Sequence, residues 1–228
     1  MISIIIPVLN EEKALPETLT NIFAQISEPD QVQVIVADCG SEDQTQTVAK
    51  QYTNVELVIS GRGRAVQMNA GATKAKGEWL LFLHADTLLP PDGLQVIQAL
   101  AKDKQNQAGC FHQRFSKDHW FLRFVSWLHN WRCNRGRIMY GDQAMFIRRS
   151  LFERIGGFPE EDILEDVLIS ELIVTETSPV LLKQEVITSS RKFEQRGIYR
   201  SFFDIFVIMS CYELKLPILR QGFFAGFR

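Results

Sequence analysis

Apolar and polar positions alternate between two periods along the first half of the chain. Ser3–Leu9 is a continuous apolar run, as a strand buried on both faces requires. Leu15, Leu19, Ile22, Phe23 and Ile26 then recur at helical spacing. Val32–Ala37 predicts a second buried strand, which runs out into Asp38-Cys39-Gly40-Ser41. Ser41 followed by Gln44 has the pattern of a capping box, so a helix is predicted from there toward Tyr52. A third strand over Val55–Ser60, a helix over Ala65–Lys76 and a fourth strand over Trp79–His84 follow. Pro90-Pro91-Asp92 then forms a turn that opens a helix through about Ala101.

The second half changes character. Gly109–Phe115 alternates like a strand, and His119–Cys133 reads as an aromatic helix with Trp120, Phe124, Trp127, Leu128 and Trp131 on one face. Ala144–Arg148 is a short strand, and a helix from Ser150 is stopped by Gly156-Gly157. Ile163–Thr175 is helical, Val180–Ser189 a strand, and Gly197–Leu214 a helix broken by Pro217. No repeat, low-complexity tract or linker interrupts the chain. The expected division is a domain over 1–190 and a basic, aromatic helical tail over 191–228 packed on it.

Strands alternating with helices predict an α/β fold with right-handed crossovers and a mostly parallel sheet flanked by helices. Ligands of such sheets sit at the carboxyl ends of the strands. Asn10-Glu11-Glu12, Asp38-Cys39-Gly40-Ser41 and His84-Ala85-Asp86-Thr87 all fall at those ends. Three polar clusters on one edge predict a site there.

Charge narrows the partners. The net charge of −2 excludes a generally basic nucleic-acid-binding protein. It hides an asymmetry, because residues 191–228 carry +4 and the remainder −6. Four scattered cysteines without a C-x-x-C pair argue against a zinc knuckle or a disulfide framework and fit a reducing compartment. The opening MISIIIPV lacks the basic start of a secretory signal, and no apolar run is long enough to span a bilayer. The expected address is the cytoplasm, with the basic tail as the point of contact with the inner face of a membrane.

Each polar cluster has a bland reading beside a functional one. Asp38 is turn chemistry, or a carboxylate that accepts hydrogen bonds from a nucleobase or ribose. Asp86 caps its turn, or shares a hard divalent cation, Mg²⁺ or Mn²⁺, with substrate phosphates. Glu165-Asp166 complements a helix dipole, or supplies a general base. Arg62 and Arg64 are exposed loop arginines, or contacts for a diphosphate. Arg191, Lys192, Arg196 and Arg200 form a solvated basic face, or meet a diphosphate or anionic lipid headgroups.

Taken in order, Ile4-Ile5-Ile6-Pro7-Val8-Leu9-Asn10-Glu11-Glu12, Val36-Ala37-Asp38-Cys39-Gly40-Ser41-Glu42-Asp43, Gln67-Met68-Asn69-Ala70-Gly71, Ala75-Lys76-Gly77-Glu78 and Phe82-Leu83-His84-Ala85-Asp86 resemble the family-2 glycosyltransferases of the GT-A fold. The resemblance covers about residues 2–175. It implies that Pro7, Val8, Glu11, Asp38, Arg64, Ala85 and Asp86 bind a nucleoside-diphosphate sugar, a UDP-sugar by analogy. It implies that Asp86 holds the cation, with His84 standing where the family's metal motif has its first aspartate and Cys39 where Asp-Asp-Gly-Ser has its second. Asp166, with Glu165, matches the catalytic pair. His84-Ala85-Asp86-Thr87, Tyr140-Gly141-Asp142-Gln143 and the Arg191–Gly197 stretch are similar to a bacterial subgroup labelled arsenosugar-biosynthesis glycosyltransferases. Asp142, Gln143, Arg191 and Arg196 are then candidates for acceptor or diphosphate contact.

The resulting expectation is inverting, metal-assisted sugar transfer to an acceptor hydroxyl, with a lipid-linked acceptor in view. A nucleotidyltransferase shares an α/β fold and a metal-held aspartate, but the loop after the first strand lacks the Gly-rich, lysine-bearing pattern. A non-catalytic, membrane-associated nucleotide-sugar-binding protein is the third reading, prompted by Cys39, His84 and the tail.

Overall fold

A computed structural model describes residues 1–161 and 163–216. β1 (Ile2–Val8) is buried along its whole length because its side chains feed two cores at once. Ile2, Ile4, Ile6 and Val8 face one core and Ile5 the other. The first core is closed by α1 (Leu15–Phe23), whose Leu15, Leu19 and Ile22 form the apolar stripe read from the sequence. β2 (Val32–Asp38), α2 (Thr45–Lys50), β3 (Val55–Ile59) and α3 (Arg64–Lys74) follow. β4 (Trp79–Phe82) completes a parallel set in the order β3-β2-β1-β4.

The capping box does not form. α2 starts at Thr45, while Ser41 hydrogen-bonds the Asp38 carboxylate instead. The Asp43 carboxylate, two residues after the predicted cap, accepts the Thr45 N–H at 2.9 Å, and Gln44 at the helix start makes no side-chain cap bond.

Beyond β4 the sheet is mixed. β5 (Thr87–Leu88), α4 (Gly93–Ala101), β6 (Ala108–Phe115), α5 (Trp120–Gly136), β7 (Phe146–Arg148), α6 (Arg149–Arg154), α7 (Glu165–Glu176) and β8 (Val180–Thr188) build the remainder, with α8 (Arg191–Arg196) and α9 (Ile198–Glu213) after them. The described residues form one eight-stranded sheet of order β3-β2-β1-β4-β7-β6-β8-β5. β7 runs antiparallel to β4 and β6, while β6 and β8 are parallel.

β5 begins five residues after β4 ends, yet pairs with β8 at the opposite edge, Thr87 against Thr188. So short a connection forces the sheet to curl around the end of β4. The curl carries Ser189 to the Asp86 carbonyl, which accepts its N–H at 2.9 Å, and delivers α8 to the site edge.

The second core lies under α3, α6 and α7 and includes Leu80, Phe82, Ile147, Phe152 and Ile169. Gly109 of β6 is crowded from two sides. A Cβ there would run into the Val180 carbonyl oxygen and stand 2.5 Å from Phe146 Cζ. Gly109→Ala is therefore expected to cost about 3 kcal/mol, read as a lower urea midpoint at an unchanged slope. An unchanged midpoint would contradict this account of β6 packing.

Candidate active site

The site grows from the loops at the carboxyl ends of β1, β2 and β4. The β1 loop is held to the β2 loop by a reciprocal set of bonds. Asn10 N–H donates to Ser41 Oγ at 2.9 Å, and Glu42 N–H donates to Asn10 Oδ1 at 2.8 Å. Glu11 N–H donates to Thr45 Oγ1 at 2.8 Å, and Gln44 N–H donates to Glu12 at 3.0 Å. From α3, the buried Gln67 amide donates to the Val8 carbonyl at 2.7 Å and the Ala37 carbonyl at 2.8 Å. Gln67 therefore fixes the spacing of two strand ends, a positioning role hidden inside the motif it belongs to.

Pro7 and Val8 are buried in β1. Asp38 is fully buried and its carboxylate is occupied by the turn it begins. It accepts the Gly40 N–H at 3.0 Å, the Ser41 N–H at 3.1 Å and the Gln46 amide at 2.8 Å, besides the Ser41 hydroxyl. Turn chemistry thus accounts for Asp38 in this state. Cys39 beside it is buried against the Val8 carbonyl, and burial followed by the Asp38 charge pushes its thiol up.

Ala85 is buried, and its carbonyl accepts the Thr18 hydroxyl at 2.7 Å, which ties the β4 loop to α1. Asp86 follows with its side chain 8% exposed. Burial pushes its carboxyl up and Lys192, 3.9 Å away, pulls it back, while Glu11 opposes Lys192. Glu11 itself is paired twice, with Arg191 at 2.6 Å and Lys192 at 3.3 Å. α8 thus spans both acidic loops with two cations. Arg196 ends the same helix, half-buried, at its far turn from Arg191.

α7 begins with the acidic pair, and the structure divides it. Glu165 is 2% exposed and bound to Arg64 Nε at 2.7 Å. Burial pushes its carboxyl up, Arg64 pulls it down and Asp166 raises it again. Arg64 is therefore held by a carboxylate partner at the start of α3, with its side chain 43% exposed. Asp166 is half-buried. One of its oxygens accepts the Gly141 N–H at 2.7 Å and the other its neighbour Val167 N–H at 2.8 Å. Gly141 has no room for a side chain, since a Cβ would stand 2.9 Å from His84 Nε2. His84, Gly141 and Asp166 are thereby drawn into one cluster.

The adjoining turn, Gly141–Gln143, carries Asp142. Burial pushes the Asp142 carboxyl up, His129 opposes that, and both Asp166 and Asp86 reinforce it. Among the described residues its buried Oδ1 has no hydrogen-bond partner, nor has His129 Nδ1, which stands 3.9 Å from Asp142 Oδ2. Gln143 belongs to the turn itself. Its side-chain oxygen accepts the Tyr140 N–H at 3.0 Å, and it is fully buried. His129, stacked on Tyr140 at 5.1 Å, was not singled out in the sequence. Helical spacing from Leu122, Val125 and Ser126 puts it on the buried face of α5, which is the signal that could have found it.

His84 is uncharged in the folded state. Burial, assisted by the Arg64 and Lys192 cations, pushes its pKa from 6.5 down to about 3. The unfolded chain takes up this proton near pH 6.5 and the folded chain refuses it until about pH 3, so the stability is complete above 6.5 and is lost as pH falls between the two. At pH 5 the loss is about 1–2 kcal/mol. Asp142 and Glu165, with raised pKa values, act in the opposite sense, so the measure is the difference between wild type and His84→Asn. Urea unfolding at pH 7 and pH 5 is expected to show a smaller drop in the variant. An equal drop in both would refute the buried neutral histidine.

The chemistry of the acidic groups fits a hard cation. Asp86 is desolvated and answered by an ammonium at the limit of ion-pair distance, and Asp142 Oδ1 is buried and unpaired among the described residues. Among the described residues no three His, Cys, Asp or Glu side chains form a ready-made cage. One or two carboxylates completed by substrate phosphates is the usual arrangement for Mg²⁺.

Asp142 thus lies within electrostatic reach of both Asp86 and Asp166, from three distant segments, with Arg64, Arg191 and Lys192 as counter-charges and Asp38 in its turn. The sequence pattern of glycosyl transferase family 2 matches residues 3–158. The chain belongs to the family-2 glycosyltransferases. An undecaprenyl-phosphate 4-deoxy-4-formamido-L-arabinose transferase of Proteus mirabilis is 29% identical over 157 residues, covering 64% of this chain and 48% of its own. The chain thus spans about half the length of that curated relative. Staphylococcus aureus TarS, solved with UDP-GlcNAc, superposes with a TM-score of 0.67 at 19% identity, over 82% of this chain and 58% of that one. A Pyrobaculum calidifontis mannosyltransferase solved with GDP-Man and Mn²⁺ gives a TM-score of 0.63 at 24% identity, over 82% and 56%. These likenesses establish the GT-A fold of this family-2 chain.

Proposed function

We propose that this glycosyltransferase moves a sugar from a nucleoside-diphosphate sugar, with UDP-sugars the first donors to test, onto the hydroxyl of a lipid-linked acceptor with inversion. The observation that supports it is Asp142 within electrostatic reach of both Asp86 and Asp166 at the carboxyl edge of the parallel strands, with Arg64, Arg191 and Lys192 as counter-charges. Pro7, Val8, Glu11, Asp38 and Ala85 are assigned to the walls of the donor site. Support for the donor class comes from the solved neighbours, which hold UDP-GlcNAc and GDP-Man. Support for the lipid-linked part of the acceptor, though not for its hydroxyl, comes from the relative named for undecaprenyl phosphate.

In this reading Asp166 takes the acceptor hydroxyl proton as the oxygen bonds to the anomeric carbon. The bond from that carbon to the leaving diphosphate breaks on the opposite face, which inverts the configuration. The Gly141 N–H holds the Asp166 carboxylate in place, and Glu165 positions Arg64. Arg64, Arg191 and Lys192 supply fixed positive charge near the leaving diphosphate. Asp86, with Asp142 beside it, would hold a divalent cation, which when bound neutralises charge on the diphosphate. Residues 1–190 are assigned the transfer chemistry, and 191–228 contribute Arg191 and Lys192 to it and the contact with the inner face of a membrane.

The test is a thermal-shift screen of nucleoside diphosphates and their sugars, with and without Mn²⁺, followed by release of free sugar from any donor that stabilises. A stabilising donor that is slowly hydrolysed supports transfer. Stabilisation with no turnover of any donor would favour a binding protein, and pyrophosphate release from a nucleoside triphosphate and a sugar phosphate would favour nucleotidyl transfer.

A further inference from the structure

The aromatic face of α5 is not core. Trp120, Phe124, Trp127 and Trp131 are 66%, 44%, 58% and 48% exposed. They form a ladder along the helix, with Phe124 stacked on Trp127 at 5.9 Å and Trp127 on Trp131 at 6.4 Å. α9 extends the same surface with Tyr199, Phe203 and Phe206, each more than half exposed. The two helices are joined by Phe121, which meets Tyr199 at 4.8 Å and Phe202 at 5.2 Å, and at their far ends by an Arg132–Glu213 pair. They run side by side in the same direction for about 24 Å. A contiguous aromatic surface of this extent on a folded protein marks a partner.

The charge pattern selects the partner. α5 carries Arg123, Arg132 and Arg135 and no acidic residue, on a protein whose total charge is −2. Arg123 is paired with Asp118 and Arg132 with Glu213, so two copies meeting through α5 would set Arg135 against Arg135 with no acidic side chain of α5 to answer it. Residues 217–228, with Arg220, Arg228 and no acidic residue, would repeat that conflict if they covered α5. An anionic bilayer resolves it. Tryptophan and tyrosine rings with arginine neighbours suit the headgroup level, where the ring is apolar on one side and wet on the other. Among the described residues no helix is long and apolar enough to cross a membrane. Asp204 and Glu213 on α9 likewise favour a shallow seat.

We propose that the paired aromatic faces of α5 and α9 dock this protein in the interface of an anionic phospholipid bilayer. The membrane-contact reading above is thereby deepened and its centre moved from the tail to α5, which also carries His129 to the Asp142 turn. The docking face stands on exposure and charge alone, so it does not depend on the transferase chemistry.

Three of the four tryptophans lie on this face, and the fourth, Trp79, is 1% exposed in the core. The full-length chain is mixed with vesicles of phosphatidylglycerol and phosphatidylethanolamine, or of phosphatidylcholine, some carrying brominated acyl chains. Binding to the anionic vesicles that weakens with salt, with most of the tryptophan emission quenched by bromine, is expected. Trp120→Ser/Trp127→Ser/Trp131→Ser is expected to bind them at least about tenfold more weakly, since interfacial binding scales with buried apolar area. Its nucleoside-diphosphate thermal shift should match wild type, which separates this outcome from any failure of the donor reading. Absence of quenching on anionic vesicles would overturn the proposal. So would unchanged binding of the triple variant, which would place the contact in 217–228, or a dimer that the substitutions dissolve while vesicles leave it intact.

Discussion

Asp166→Asn is expected to lower sugar transfer by about a thousandfold while leaving donor affinity within about twofold, as loss of a general base should. The asparagine oxygen can still accept the Gly141 N–H that holds Asp166 Oδ2 at 2.7 Å, so the turn keeps its anchor. The group facing the Val167 N–H becomes a donor if the amide keeps that orientation, which predicts a small loss of stability and no rearrangement. Glu165 cannot replace the base. Its carboxylate is 3% exposed and committed to Arg64, so a proton taken there would break the pair that positions Arg64. The measurement is single-turnover transfer or acceptor-free donor hydrolysis, alongside donor binding by calorimetry. Turnover near wild type would move the base to Asp142, the adjacent carboxylate that burial already pushes toward proton binding.

Local pattern carried the fold wherever burial was two-sided. β1, β2 and β4 read as apolar runs, broken before their ends only by Ser3 and Gln33, because the sheet is covered by helices on both faces, and their polar ends followed directly. The mixed half was less legible. β5 is two residues long and its partner lies in β8, so no periodicity announces it. The same non-locality hid the pairing of Arg191 with Glu11 across 180 residues, although both residues had been picked out separately. Asp38 shows the opposite difficulty. Its pattern allowed a ligand contact or a turn, and three donors at 2.8, 3.0 and 3.1 Å hold the carboxylate in its turn at the β2 end, where the donor site is proposed.

The aromatic helix shows what periodicity leaves open. A stripe at helical spacing says that α5 is amphipathic and does not say which side is covered. Here the inward face is the sparser one, Leu122, Val125, Ser126 and Cys133, and the larger rings face outward. Composition alone would have buried the rings. The arginines between them are the clue that the wet face and the aromatic face coincide.

Asp86→Ala is expected to abolish the Mn²⁺-dependent part of donor affinity, a loss of about a hundredfold or more, because a cation shared with phosphates leans on very few protein oxygens. The fold should be indifferent or better off. What anchors this loop is the Asp86 carbonyl, which accepts the Ser189 N–H at 2.9 Å, and that bond survives the substitution. The carboxyl itself is disfavoured by burial, so its removal predicts an equal or higher Tm for the donor-free protein. Lys192 keeps Glu11 at 3.3 Å, so α8 retains a hold on the site edge. Stability retained while cation-dependent binding disappears is the combination a purely structural Asp86 could not produce. Calorimetric titration of donor with and without Mn²⁺ decides it, and an unchanged Mn²⁺-dependent gain in the variant would shift the cation to Asp142, whose buried Oδ1 has no partner among the described residues.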